Sequence, residues 1–137
     1  SNWKYTNYMK PHQLIGLRYR LGADPIKHQA ADCVSLARTV LKYYGITSPE
    51  PTRDWYKRVR KKDFGIFKEE LEKWGNETKE FKIGTVALCK SNVGYGLAVY
   101  WKDGWLNCGE TMIRWSPLDK LDIEKYYYPS SRNFVSS

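Results

Sequence analysis

The segment Asp32-Cys33-Val34-Ser35-Leu36-Ala37-Arg38-Thr39-Val40-Leu41-Lys42-Tyr43-Tyr44-Gly45 decides how the rest of the chain is read. Within it, Cys33, Leu36, Ala37, Val40, Leu41 and Tyr44 recur at the intervals that line one face of an α-helix. Asp32 stands where an N-cap carboxylate accepts a free backbone amide, and Gly45 stands where the chain leaves the helix. The pattern predicts a central helix, buried along that stripe. A cysteine in the first turn of such a helix feels the partial positive charge of the N-terminus, which favours thiolate over thiol. On spacing alone the simpler reading is that Cys33 is a small core hydrophobe and Asp32 only a cap.

Working outward toward the N-terminus, residues 11–17 read as a short amphipathic helix, followed by an irregular loop with Gly22, Asp24 and Pro25. Beyond the central helix, Pro49 and Pro51 break the chain. Residues 53–62 and 64–74 then read as two shorter helices, the first strongly basic. From Lys82 the character changes to β. Residues 83–88, 97–101, 105–107 and 112–115 are short, β-branched or aromatic runs separated by turn residues, and 123–128 adds a further strand. Lys102-Asp103-Gly104 is a hairpin signal, because Asp-Gly readily takes positive φ. Residues 130–137 read as a loose tail. Helices first and an antiparallel sheet second is an α+β arrangement, and a chain of 137 residues without repeat or linker predicts one domain.

Composition narrows the chemistry. The net charge is +8, from 23 Lys and Arg against 15 Asp and Glu, which favours an anionic partner. No run approaches the roughly 20 apolar residues of a membrane span. The start, Ser1-Asn2-Trp3-Lys4, lacks the apolar core of a signal peptide, so none is expected within this chain. Cys33, Cys89 and Cys108 are odd in number and share no ligand spacing with His12 or His28, so no disulfide framework, metal site or cofactor is expected. That pattern fits synthesis in a reducing compartment.

Gly16-Leu17-Arg18-Tyr19-Arg20-Leu21-Gly22, followed by Asp32-Cys33-Val34-Ser35-Leu36, resembles the paired motifs of the NlpC/P60 family of papain-like cysteine hydrolases. Gly84-Thr85-Val86-Ala87-Leu88 and Leu97-Ala98-Val99-Tyr100-Trp101-Lys102-Asp103-Gly104 are similar to that family's later strand and hairpin, so the resemblance runs from about 16 to 118. It implies a papain-like fold with N-terminal helices packed on a C-terminal antiparallel sheet. It makes Cys33 the nucleophile, Tyr19 the tyrosine near the sulfur and Asn107 the residue that orients the base, with Asp32, Ser35, Tyr95 and Gly96 bordering the substrate cleft. The family's general-base histidine falls at Gly96, flanked by Tyr95, and neither residue takes a proton as imidazole does. A general base typically contributes about 10²–10⁴-fold. His28, five residues before Cys33, is the nearest candidate to replace it.

Lys57, Arg58, Arg60, Lys61 and Lys62 form a cationic cluster that reads either as a solvated helix face or as a binder of anionic polymer. No nucleic-acid-binding motif accompanies it, so nucleic acid is not the expected partner. Trp101, Trp105 and Trp115 read either as core or as an aromatic surface for sugar rings or a protein partner. The expectation that results is a degenerate peptidoglycan hydrolase domain, weak or inactive in amide cleavage, acting by binding wall polymer or as a structural part. Small domains similar to this family occur in bacteriophage tails, which makes tail proteins possible partners, and the virion or the bacterial cytoplasm before assembly the expected location. The rival expectation is an active cysteine endopeptidase or amidase served by His28 or by another base. The expected signature of Cys33 in either case is a reactive sulfur.

Overall fold

In a computed structural model, which describes residues 9–135, Asp32 is the N-cap of the central helix. Its Oδ1 accepts the Ser35 amide at 2.8 Å while the Ser35 hydroxyl accepts the Asp32 amide at 3.0 Å, so two otherwise orphaned donors are satisfied reciprocally. Oδ2 accepts the Gly22 amide at 2.8 Å and ties the preceding loop to the cap. The readings made on Ser1–Lys4 and on residues 136–137 lie outside the described residues.

The first element among the described residues is a single 3₁₀ turn, Pro11–Leu14, rather than a helix reaching residue 17. Gly16 takes φ +92° and its amide bonds to the Ile113 carbonyl at 2.8 Å, so the sheet captures the backbone before a second helical turn forms. β1 (Arg18–Tyr19) then pairs in parallel with β2 (Ala30–Ala31), with α1 (Pro25–His28) between them. α2 (Cys33–Tyr43) buries Val34, Leu36, Ala37, Val40 and Leu41, the predicted stripe, and the chain departs through Gly45 at φ +76°. α3 (Arg53–Arg60) buries no residue fully, whereas α4 (Gly65–Trp74) buries Ile66, Phe67, Leu71 and Trp74.

The sheet has six strands in the order β3-β8-β4-β5-β6-β7, with every neighbouring pair antiparallel. They are β3 (Gly75–Glu77), β4 (Val86–Ser91), β5 (Gly94–Trp101), β6 (Gly104–Cys108), β7 (Ile113–Pro117) and β8 (Asp122–Pro129). Helices before a C-terminal antiparallel sheet make the fold α+β. β3 carries no apolar alternation and was illegible as a strand. Its place at the edge rests on Gly75, where a β-carbon would fall 2.2 Å from the Tyr128 carbonyl oxygen. The β5–β6 hairpin puts positive φ on Lys102 (+47°) and Asp103 (+57°), not on Asp103 and Gly104 as Asp-Gly predicts. Gly104 is required instead by close approach, since a β-carbon there would lie 2.4 Å from Trp115 Cε2. The end of the chain is docked through residue 135. Asn133 Nδ2 donates to the Trp74 carbonyl and the Val135 amide bonds to the Gly45 carbonyl at 2.8 Å.

The main core lies between α2, α4 and one sheet face, with Leu36, Val40, Leu71, Val86, Val99 and Leu106 buried in it. Each such side chain contributes about 1.5–3 kcal/mol of transfer free energy. The other sheet face carries a smaller cluster of Ala87, Ala98 and Trp105. Trp105 stacks on Tyr126 at 5.7 Å and is met edgewise by Phe81, so this tryptophan is core. Among the described residues no helix is long and apolar enough to cross a membrane.

Candidate active site

Pairing between β5 and β6 covers Ala98–Trp101 against Gly104–Asn107 and stops there, leaving the first half of β5 bonded only to β4. The N-terminus of α2 meets the sheet at this open edge. Cys33 is its first residue, half-buried against the main core. An ideal β-carbon on Gly96 would sit 4.0 Å from the Cys33 sulfur with nothing else so near. The side chain at position 96 is therefore the one that would address the thiol, and it is absent.

The environment holds the sulfur as a thiol. Burial, followed by the Asp32 carboxylate beside it, pushes the Cys33 pKa from 9.0 up to about 12, against the opposing pull of the Leu97 backbone N–H. The thiolate expected from the helix N-terminus is outweighed, first by burial of the sulfur and then by the Asp32 carboxylate that caps the same helix. Tyr19 lies close enough for Cys33 and Asp32 to act on its phenol, which burial first, and then Cys33 and Asp32, raise to about 12. It is also exposed on one side, and its backbone amide bonds to Thr111 at 2.9 Å.

Asn107 is buried on β6, but its amide is consumed within the β6–β7 hairpin. Nδ2 donates to the Trp105 carbonyl at 3.1 Å and to the Ser116 hydroxyl at 3.0 Å, and Oδ1 accepts Arg114 Nε at 3.3 Å. Those bonds hold the side chain within the hairpin, and its oxygen already accepts one donor, Arg114 Nε. His28 is exposed at the end of α1, where its Nδ1 accepts the Asp24 amide at 2.8 Å. Ser35 is committed to the helix cap, and Tyr95 donates its hydroxyl to Glu124 at 3.0 Å. Of the predicted set, the fold brings together Cys33, Asp32, Tyr19 and the Gly96 backbone. His28 and the polar ends of Ser35, Tyr95 and Asn107 are engaged elsewhere.

Two neighbours of the sulfur escaped the sequence reading. Tyr56 of α3 stands against Asp32 and Cys33, and burial together with Asp32 raises its phenol. Its signal was the aromatic pair Trp55-Tyr56 on an otherwise charged helix, with Trp55 and Val59 packing on the core at helical spacing. Cys108 follows Asn107 at the end of β6. Burial, then Cys33, then Asp32 raise its thiol. Only the sheet register brings it there.

In the cationic cluster, Arg58 is not available to a ligand. Its Nε meets Asp63 at 2.8 Å and its two terminal nitrogens hold Glu69 at 3.0 and 2.5 Å. The remaining members, Lys57, Arg60, Lys61 and Lys62, are exposed. Two cavities flank α2. An apolar one of about 60 Å³ is lined by Val34, Leu41, Trp55, Ile66, Trp74 and Leu97. A groove of about 500 Å³ runs past Ser35, Arg38, Thr39 and Glu50. Cys33 lines neither. Among the described residues no group of three or more His, Cys, Asp or Glu side chains is placed to hold a metal ion.

No protein-family model matches this sequence, and no curated protein matches it.

Proposed function

We propose that the chain is a degenerate NlpC/P60-like domain that binds peptidoglycan stem peptides, or another anionic cell-wall polymer, without efficient cleavage. It serves as a binding or structural component of the kind found in phage tails. The observation that carries this reading is the bare backbone of Gly96 set against the Cys33 sulfur. Amide cleavage by a cysteine needs the thiol proton removed as sulfur attacks the carbonyl carbon, and needs a proton delivered to the departing amine. An imidazole at position 96 would do both. Without it the thiol stays protonated, and the buried Asp32 beside it opposes ionisation further. The motif spacing that supports the family likeness is the same spacing that leaves the base position empty of a side chain.

The test is direct. Purified protein is incubated with muramidase-released peptidoglycan fragments, and both retention on insoluble peptidoglycan and release of new amino groups are followed. The expected result is retention that rises as salt is lowered, with no release above a Cys33→Ala control. Robust release that disappears in both Cys33→Ala and His28→Ala would replace this reading with an active endopeptidase or amidase.

A further inference from the structure

Asn107 on β6 pairs with Ala98 on β5 and, on its other side, with Arg114 on β7. Because side chains alternate along a strand, Arg114, Asn107, Ala98 and the position two residues before Ala98, Gly96, all share one sheet face. The sheet thus carries Arg114 onto the face of the missing base. Its Nε is fixed by the Asn107 side-chain oxygen at 3.3 Å. The neighbouring turn gives it room, since a β-carbon on Gly109 would come within 3.4 Å of Arg114 Cδ and Nε. The side chain is exposed and forms no ion pair among the described residues. Arg58, Lys68, Lys73, Lys82 and Lys125 all do.

A guanidinium held by Nε alone keeps its two terminal nitrogens free to grip a carboxylate bidentately. We propose that Arg114, oriented by Asn107, is the carboxylate anchor of the ligand site, so that the site takes a peptide bearing a free carboxylate. The inference rests on the peptide-binding reading above and adds to it the residue that recognises the acid. Two strand spacings across the sheet and two residues along it separate Arg114 from Gly96, which places the anchor about 12 Å from the position of the missing side chain, the reach of roughly four extended residues. Asn107, whose amide no longer serves a base, thereby acquires a positioning role toward Arg114.

The experiment uses a synthetic peptidoglycan stem tetrapeptide in two forms, with its carboxylates free and with them amidated, titrated calorimetrically into the wild-type protein, Arg114→Gln and Arg114→Lys. Wild type should bind the acid form about tenfold more tightly than the amide, and Arg114→Gln should lose that preference. Arg114→Lys should recover only part of it, because an ammonium lacks the planar fork. Equal wild-type affinity for the two peptides, or an unchanged preference in Arg114→Gln, would remove Arg114 as anchor and leave the binding reading intact. Failure of wild type to bind either form would overturn both. The wild-type comparison of the two peptides remains decisive even if a variant folds poorly.

Discussion

Gly96 faces the Cys33 sulfur across an open strand edge, 4.0 Å from where its β-carbon would be. Its φ is not in the left-handed region, so the backbone accepts a side chain. Gly96→His should therefore form a thiolate–imidazolium pair and raise iodoacetamide alkylation of Cys33 at pH 7 by about 10²-fold or more. Cleavage of peptidoglycan fragments should become detectable but slow, because Asn107 is held by Arg114 and Ser116 and does not orient the ring. His28→Ala should change neither readout. An unchanged alkylation rate in Gly96→His would show that position 96 does not address the sulfur.

Alkylation of the wild-type protein tests the electrostatics. A pKa of about 12 in place of 9.0 leaves about a thousandfold less thiolate at neutral pH. The rate should climb tenfold per pH unit well beyond pH 9 instead of levelling there. The sign of the stability effect follows. The folded pKa is the higher one, so the contribution of the buried thiol is fully present below pH 9 and is lost as pH rises toward 12. Cys89, also pushed up to about 12 by burial and Asp122, adds to the same alkaline loss. Denaturant midpoints between pH 8 and 11 should fall, and fall less in Cys89→Ala than in wild type.

Asp32→Asn separates charge from capping. The amide keeps one oxygen, enough to accept the Ser35 N–H of the cap, gives up the second acceptor that the Gly22 N–H uses, and removes the negative charge acting on Cys33, Tyr19 and Tyr56. The Cys33 alkylation profile should move to lower pH. Asp32→Ala removes the acceptor as well, and should cost about 1–3 kcal/mol in urea unfolding. A profile unmoved in Asp32→Asn would refute the carboxylate as a cause of the shift.

Two packing variants should move stability in opposite directions. The Tyr127 hydroxyl is buried without a hydrogen-bond partner among the described residues, so Tyr127→Phe should be neutral or stabilising by up to about 1 kcal/mol. Gly104→Ala drives a methyl group into Trp115 and the Ser116 carbonyl, and should cost about 1–3 kcal/mol or more. Thermal melts of the two purified variants decide both.

Reversal of Lys57, Lys61 and Lys62 to Glu should weaken retention on peptidoglycan and flatten its salt dependence, with the melting temperature little changed. Arg58→Glu should instead loosen α3, because it breaks the bonds to Asp63 and Glu69 that tie this helix to α4. Retention insensitive to the triple reversal would mark these lysines as a solvated face.

The sequence alone was enough for the central helix, its cap at Asp32 and the cysteine in its first turn, because a helical stripe and a capping carboxylate are local relations among residues a few positions apart. The strands from Val86 to Trp115 were legible for the same reason, as short apolar runs between turns. What lies around the sulfur was decided by tertiary structure. Gly96, Cys108 and Tyr56 reach Cys33 from β5, β6 and α3, and only strand register and helix packing set which of them approaches. The ionisation state of Cys33 also reversed at this level: the helix N-terminus favours thiolate, but burial and the adjacent Asp32 carboxylate together outweigh it. The resemblance makes Asn107 the residue that orients the base, yet its partners Ser116 and Arg114 follow from the β6–β7 pairing. Local pattern determines which residues can carry chemistry, whereas the long-range contacts that bury, charge and pair them determine whether they do.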